Sequence, residues 1–164
     1  MIAMLCVRSK QVWVGLVVLV LLLIPVGPLP LAGYIRGFTG DLSVVSFLLL
    51  ISLYFFPARQ SVPWWMVFSF ILFGAFFYAY ALGVGMTDPY AWGYDSLPMI
   101  LSVAAVASSF WLIKFYRAAI VLSAAIIAWT IGLHESTNLW DYVIDPYLFI
   151  SLLGFVIWEK TRQP

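Results

Sequence analysis

The sequence alternates long apolar runs with short polar connectors. Six apolar runs cover residues 12–32, 42–56, 64–86, 97–113, 118–133 and 146–158, and none of them contains Asp, Glu, Lys, Arg or His. A membrane-spanning helix needs about 20 mostly apolar residues, and about 17 can suffice. The first and third runs reach this length alone. The other four need flanking residues or a locally thin bilayer, and the last must extend through Glu159 and Lys160.

The composition agrees with a membrane environment. Of the 164 residues, 65% are hydrophobic and 9% are charged, whereas a soluble domain carries about 25% charged residues. Such a chain has too few polar groups to cover a globular surface. We therefore predict an all-α integral membrane protein, a compact bundle of about six transmembrane helices, with residues 1–164 forming a single polytopic membrane domain.

The N-terminal run resembles a signal peptide but is expected to be retained. Arg8 and Lys10 precede the apolar run 12–32. Pro30 stands three residues before the candidate cleavage point after Ala32, which is a poor match to the small-x-small rule. We expect a first helix whose outer end is set by the prolines of this run, with cleavage as the alternative.

The connectors alternate in charge and predict a topology. One side carries Arg8, Lys10, Arg59, Lys114, Arg117, Lys160 and Arg162, with Glu159 as its single acid. The opposite side carries Asp41, Asp88, Asp95, Glu135, Asp141 and Asp145, with Arg36 as its single cation. Basic residues collect on the cytoplasmic side, so both termini are expected in the cytoplasm. The short loops and this asymmetry favour a bacterial inner membrane.

Two Asp-Pro-Tyr phrases fall on the acidic side, at Asp88-Pro89-Tyr90 and at Asp145-Pro146-Tyr147. Asp accepts hydrogen bonds from the free amides at a helix start, and Pro suits the first helical position. Asp145 is therefore expected to cap the last span, and Asp88 to begin a short interfacial helix that runs towards Asp95. The aromatic residues of these connectors, including Trp140 and Tyr142, are expected to anchor the chain at the outer interface.

Arg36 lies in the glycine-rich segment between the first two spans. We favour an ion pair with Asp41 or another outer acid, and the alternative is an anion site for a phosphate or carboxylate headgroup, which Arg can bind with two parallel bonds. Asp41 is also a candidate cap for the second span. Gly33 and Gly37 stand four residues apart, the spacing for close helix contact.

His134 is the single histidine and opens the polar segment that follows the fifth span. A zinc site would need more nitrogen or sulfur ligands, and no metal or cofactor is predicted. A histidine–carboxylate pair can perform acid–base chemistry. The weak catalytic candidates are His134, Glu135, Asp41 and Asp141. The favoured interpretation is an exposed loop, in which Ser136 or Asn138 caps a short helix through Trp140 and Tyr142.

Small residues at four-residue spacing mark the fourth and fifth spans. These residues are Ala104, Ser108, Ala124, Ala128 and Gly132. Small side chains let helix backbones approach closely in lipid, so a tight hairpin of these two spans is predicted. The third span is rich in Phe and Tyr instead, and we expect it to face lipid or a partner.

Three functions remain after this survey. Absence of ionisable residues inside the runs disfavours a proton- or ion-coupled transporter, and no basic patch indicates nucleic acid. We favour a non-catalytic subunit or scaffold that docks to an envelope enzyme or transporter, or that forms a homo-oligomer. The alternatives are an enzyme that acts on a lipid headgroup or lipid-linked substrate at the periplasmic interface, and a small transporter.

Overall fold

The computed structural model describes residues 2–55, 63–94 and 96–162. The chain divides into two compact units, Met1–Asp41 and Leu42–Pro164. The described residues contain eight α-helices, one 3-10 helix and one two-stranded sheet, which confirms the all-helical class. Arg59 and Asp95, which the charge pattern assigned to opposite sides, lie outside the described residues, as do the side chains of Arg8, Lys10, Glu159, Lys160 and Arg162.

The first unit consists of two helices joined by a small β-hairpin. Helix α1 spans Ile2–Leu23, strands β1 (Pro25–Val26) and β2 (Leu29–Pro30) pair antiparallel, and helix α2 spans Leu31–Thr39. A proline ring disfavours the helical conformation of the residue that precedes it, so α1 ends just before Pro25. The prolines therefore end the first helix as predicted, and the run 12–32 is divided between α1, the two strands of the hairpin and the start of α2.

The second unit holds the remaining elements. These are α3 (Val44–Phe55), α4 (Trp64–Ala81), the 3-10 helix (Tyr90–Tyr94), α5 (Ser96–Leu112), α6 (Tyr116–Thr130), α7 (Trp140–Val143) and α8 (Pro146–Arg162). Each predicted apolar run after the first corresponds to one long helix. Helix α8 continues through Glu159 and Lys160, as its run required.

Helices α4, α5 and α6 end in the same hydrogen-bonding pattern. The second residue after each helix has positive φ, and its amide and the next amide donate to carbonyls of the last turn. This is the Schellman motif, in which glycine is preferred because it has no Cβ to clash. Gly83 and Gly132 serve α4 and α6, but α5 uses Lys114 at φ +65°. Gly132 therefore ends a helix, and no atom lies within 4 Å of where its Cβ would stand.

The core of this unit lies between α3, α5, α6 and α7. It contains Val44, Val45, Met99, Val103, Val121, Ala125, Ala128, Leu139 and Tyr142. Helices α5 and α6 pack directly on each other across a three-residue connector, which confirms the predicted hairpin. Ala125 is completely buried in α6, and Ala107 is its buried small counterpart in α5.

Helix α4 packs against α8 by one narrow face. Gly74 is buried there, and a Cβ on it would stand 2.5 Å from the ring of Phe149. Val67 and Phe77 are the other buried residues of α4, whereas Phe68 and Leu72 remain exposed. The predicted aromatic exposure of this helix therefore holds for most of its circumference but not for the face on α8.

One described helix, α4, is long and apolar enough to cross a membrane by length and composition. The apolar helices Val12–Leu23, Val44–Phe55, Leu97–Leu112, Tyr116–Thr130 and Pro146–Trp158 are shorter than that criterion among the residues searched. The helical class is thus established.

Candidate functional site at the acidic end

Two connectors of the second unit fold onto each other to form one structure. They are residues 82–94, between α4 and α5, and residues 131–145, between α6 and α8. We call them together the acidic cap. Four hydrogen bonds join the two connectors directly. The two contacts of the Tyr90 hydroxyl with the Asp141 carboxylate are counted as one bond.

Asp141 is the centre of the first set of bonds. The Tyr90 hydroxyl donates to its carboxylate, with oxygens at 2.9 and 3.0 Å, and the Ser136 hydroxyl donates to it as well. Burial, followed by the hydrogen bond to Asp141, raises the pKa of the Tyr90 hydroxyl well above its usual value. Tyr90 therefore remains a neutral donor at physiological pH. Asp141 is engaged by these two hydroxyls rather than by His134.

Asn138 forms the second set and is completely buried. Its Nδ2 donates to the Tyr90 carbonyl at 2.9 Å, and its Oδ1 accepts the Trp140 amide at 2.9 Å. A Cβ on Gly93 would overlap this amide side chain, so the close approach of the connectors requires glycine there. The cap position of α7 is Leu139 rather than Ser136 or Asn138. The Asn138 side chain nevertheless accepts the first amide of α7, and it also joins the connectors.

Trp140 and Tyr142 are bonded inside the cap. The Trp140 indole donates to the Pro89 carbonyl at 2.9 Å, and its ring packs on Phe77 of α4 with centroids 4.7 Å apart. The Tyr142 hydroxyl accepts the His134 amide at 3.0 Å and lies within donating distance of the carbonyls of His134 and Ser136. Tyr142 is fully buried. These two aromatic residues hold the cap together. The buried Tyr142 has no exposed ring to place at an interface, whereas the half-buried Trp140 leaves that prediction open.

Asp145 links two helix starts. Its Oδ1 accepts the Leu148 amide of α8 at 2.7 Å, and its Oδ2 accepts the Ser43 amide before α3 at 2.8 Å. The predicted cap of the last span is therefore confirmed, and the carboxylate serves α3 at the same time. The Ser43 hydroxyl accepts the Ser46 amide at 3.1 Å, so Ser43 rather than Asp41 caps the second span.

His134 lies half-buried at the start of the connector 131–145. Its ring stands edge-on to Tyr142, with centroids 4.7 Å apart. It is also the one polar side chain beside an otherwise apolar groove of about 430 Å³ between α3 and α6. The groove is lined by Leu42, Val44, Phe47, Leu48, Ala124, Ile127, Ala128, Ile131, Leu133 and His134. Glu135 is exposed.

Arg36 and Asp41 form a two-bond ion pair in the first unit. Arg36 Nε lies 2.5 Å from Asp41 Oδ1, and Nη2 lies 3.0 Å from Oδ2. The favoured pairing is thus confirmed. Both side chains are exposed, and an exposed pair contributes about 0–1 kcal/mol because water screens it.

The small residues predicted to pack are placed differently from one another. Ala128 is buried, Ala104 and Ala124 are half-buried, and Ser108 is exposed. In α2, Gly33 is half-buried with Leu29 at 3.4 Å from its Cβ position, whereas Gly37 has nothing within 4 Å. Ala125 and Ala119 are the most buried small residues of the hairpin, and Ala107 is the most buried small residue of α5.

The acidic cap is held together by hydrogen bonds between its own parts. The side chains of Asp141, Asn138 and Asp145 bond to a hydroxyl, to a carbonyl and to amides of the cap or of the first turns of α3 and α8. Within the described residues, no three His, Cys, Asp or Glu side chains are grouped to hold a metal ion. The sequence did not predict that Tyr90, Trp140 and Tyr142 form hydrogen bonds within the cap. The repeated Asp-Pro-Tyr motif, which includes Tyr90, was the one local pattern that could have indicated it.

Comparison with known proteins adds no function. No protein-family model, no curated protein and no solved structure matches this chain.

Proposed function

We propose that this chain is a small multi-pass protein of a bacterial inner membrane that acts as a non-catalytic subunit or scaffold for an envelope enzyme or transporter. The observation that carries the proposal is that polar side chains of the acidic cap are engaged in hydrogen bonds within the fold. Asp141, Asn138 and Asp145 are occupied by bonds that hold the fold together. Side chains with such structural partners are poorly suited to proton transfer with a substrate.

The distribution of exposed apolar residues supports the membrane part of the proposal. Only 17% of α4 is buried, although the helix carries no charged residue. Leu72 on α4, Leu101 on α5 and Ile127 on α6 are each at least 60% exposed. Soluble monomers rarely expose contiguous apolar patches larger than a few hundred Å². A lipid bilayer is a solvent in which such a surface is stable.

Helix lengths require a modest adjustment of the bilayer. Helices α5 and α8 have 17 residues each, or about 26 Å at 1.5 Å per residue, against a hydrocarbon thickness of about 30 Å. Local thinning of the bilayer accommodates a difference of this size at small cost. Helix α3 has 12 described residues, and residues 56–62 after it lie outside the described part.

The charges support the proposed orientation. Asp88, Glu135, Asp141 and Asp145 belong to the acidic cap, at the ends of α4 and α6 and the starts of α5 and α8. Lys114, in the connecting turn, and Arg117, in the first turn of α6, lie at the opposite end of the α5–α6 hairpin. The rule that cations remain in the cytoplasm then directs the cap towards the periplasm.

Cysteine accessibility tests the membrane placement. Cys6 is the single cysteine, so Thr137→Cys and Lys114→Cys are introduced separately into a Cys6→Ser background. We expect a membrane-impermeant maleimide to label the first variant in intact cells and the second only after permeabilisation. Equal labelling of both variants in intact cells, or recovery of the protein in the soluble fraction, would overturn the placement.

Purification from the native membrane tests the scaffold role. The tagged protein is isolated in mild detergent, and co-purifying proteins are quantified by mass spectrometry. A stoichiometric membrane-protein partner, or a stable homo-oligomer, is the expected result. That association should be lost on replacing Ala124 with a bulky residue and should survive His134→Ala. A monomer without partner in every detergent tested would contradict the role.

One observation favours an enzyme as the second candidate. His134 is the polar residue beside the apolar groove, and Glu135 follows it in the chain. An apolar groove with a titratable group beside it is suited to a lipid-linked substrate. The test is complementation of a deletion strain by a triple alanine variant at Arg36, Asp41 and His134. Full complementation would exclude the enzyme, whereas loss with normal expression would favour it over the scaffold.

A further inference from the structure

The most exposed apolar segment of the described chain is not a helix. Leu82, Val84 and Met86 lie in the loop after α4, with exposed fractions of 84%, 76% and 107%. Chain geometry holds this loop in a defined shape. Gly83 adopts φ +91°, and the Tyr80 ring fills the space where a Gly85 Cβ would stand. Three large apolar side chains are therefore presented to the surroundings on a structured turn.

The length of α4 sets the depth of this loop in a bilayer. Trp64 and Trp65 are exposed at the start of α4, where indole rings favour the headgroup level. The helix has 18 residues, or about 27 Å, which nearly equals the hydrocarbon thickness of about 30 Å. The loop that follows Ala81 then reaches the opposite boundary of the hydrocarbon layer.

The backbone of the loop excludes a deeper position. Within the described residues, no hydrogen bond reaches the peptide N–H groups of Gly85, Met86 or Thr87. Irregular backbone with unpaired peptide groups is not stable in lipid hydrocarbon. These amides need water or headgroup oxygens, while the neighbouring side chains need apolar surroundings. Both needs are met together at the boundary between headgroups and acyl chains.

Charge and neighbouring aromatic residues point to the same level. No Asp, Glu, Lys or Arg occurs between Arg59 and Asp88. Trp92 and Tyr94, in the 3-10 helix that follows, are also more than half exposed, in contrast to the buried Tyr142 of the same cap. Aromatic side chains of this type concentrate at membrane interfaces.

We propose that Leu82, Val84 and Met86 form an interfacial anchor that inserts into the headgroup–acyl boundary of the outer leaflet and holds the acidic cap against the membrane. This inference rests on the proposed membrane placement. The partner is the lipid surface itself, and the anchor extends the apolar contact of α4 from 18 residues to the whole run 64–86.

Depth-dependent fluorescence quenching tests the anchor. Single cysteines at Val84, Met86, Leu72 and Thr137 are introduced into the full-length Cys6→Ser chain, labelled with an environment-sensitive dye and reconstituted in phosphatidylglycerol–phosphatidylethanolamine nanodiscs. Leu72 is an exposed position within α4, and Thr137 is an exposed polar position in the cap. Lipids with a spin label near the headgroup are compared with lipids labelled deep in the chain.

We expect dyes at positions 84 and 86 to emit at shorter wavelength than the dye at 137, and to be quenched about twofold more by shallow than by deep spin labels. The dye at 72 should show the opposite depth preference. If positions 84 and 86 behave like 137 while 72 is quenched by deep labels, the anchor is wrong and the membrane placement stands. If 72 is not quenched either, the placement itself fails.

Discussion

The α5–α6 hairpin and the α4–α8 pair solve the same packing problem in different ways. The hairpin buries small and β-branched residues, among them Val103 and Ala107 of α5 and Val121 and Ala125 of α6. The α4–α8 pair relies on one glycine, Gly74, whose missing side chain makes room for the Phe149 ring. Both seams lie in apolar stretches of their helices, where apolar residues also occur outside the packed face, so hydrophobicity does not distinguish that face. The packed face is distinguished instead by the size of its side chains.

The acidic cap connects these two packing units. Its first connector leads from α4 to α5, and its second leads from α6 towards α8. Trp140 contacts Phe77 of α4, and Asn138 joins the connectors to each other. Polar bonds therefore fix how the hairpin and the pair are joined, while apolar seams hold each of them internally.

The largest expected effect is at the hairpin seam. Replacing the fully buried Ala125 with Phe should lower the free energy of unfolding by about 3 kcal/mol or more, because a packed seam cannot expand without moving a helix. Ala105→Phe on the exposed face of α5 is the matched control and should change stability by less than about 0.5 kcal/mol. Denaturant unfolding in detergent micelles measures both. Equal effects would show that α6 does not pack through Ala125.

A comparable loss is expected when the cap is opened. Asn138→Ala removes the partners of the Tyr90 carbonyl and the Trp140 amide, and unpaired buried groups of this kind cost together about 3 kcal/mol. Thr137→Ala, at an exposed neighbouring position, is the control. Proteolysis of the two connectors should accelerate in the first variant alone. Unchanged protection would mean that the apolar seams suffice to hold the cap closed.

A smaller effect is expected at the α4–α8 seam. Gly74→Ala places a methyl group against Phe149 and should cost about 1–2 kcal/mol, less than at Ala125 because one ring can rotate away. Gly154→Ala in α8 has open space and should be neutral or stabilise by up to about 1 kcal/mol. Combining Gly74→Ala with Phe149→Leu should recover part of the loss in a double-mutant cycle. Strict additivity would argue against the contact.

The smallest expected change in stability is at the residues with positive φ that follow α5 and α6, outside the packed seams. Lys114→Gly should stabilise the fold by about 1 kcal/mol, because a non-glycine residue in the left-handed region is strained. Gly132→Ala, at the equivalent position after α6, should destabilise it by a similar amount, about 1 kcal/mol. Thermal unfolding of both variants measures the difference. A destabilising Lys114→Gly would show that the Lys114 side chain has a role that outweighs its backbone strain.

The sequence predicted the helices better than their contacts. Each apolar run gave rise to a helix, Asp145 caps α8, and Arg36 pairs with Asp41, because these features depend on residues close together in the chain. The packing face of α6 was less accessible to prediction. Its small residues Ala124, Ala125 and Ala128 lie on neighbouring parts of the helix surface, and the sequence does not show which of them faces another helix. The contacts with α5 and α3 decide this.

The candidate site shows the same limit. Tyr90 and Asp141 are 51 residues apart in the chain, and Ser43 and Asp145 are 102 apart. No local pattern marks such pairs, and aromatic residues in a polar connector of an apolar chain are typical of membrane anchors. Exposure in the folded unit separates the buried Tyr142 from the exposed Trp92, although the two side chains are similar in chemistry.

Helix formation, hydropathy and the positions of acids and cations are properties of contiguous residues, so the helical, apolar and charge-asymmetric character of this chain can be predicted from its sequence. Which small residues form seams, which polar residues close the cap and which apolar side chains remain exposed is known only from the folded chain. In a chain with apolar residues on every helix face, those choices depend on shape and on hydrogen-bond partners distant in sequence.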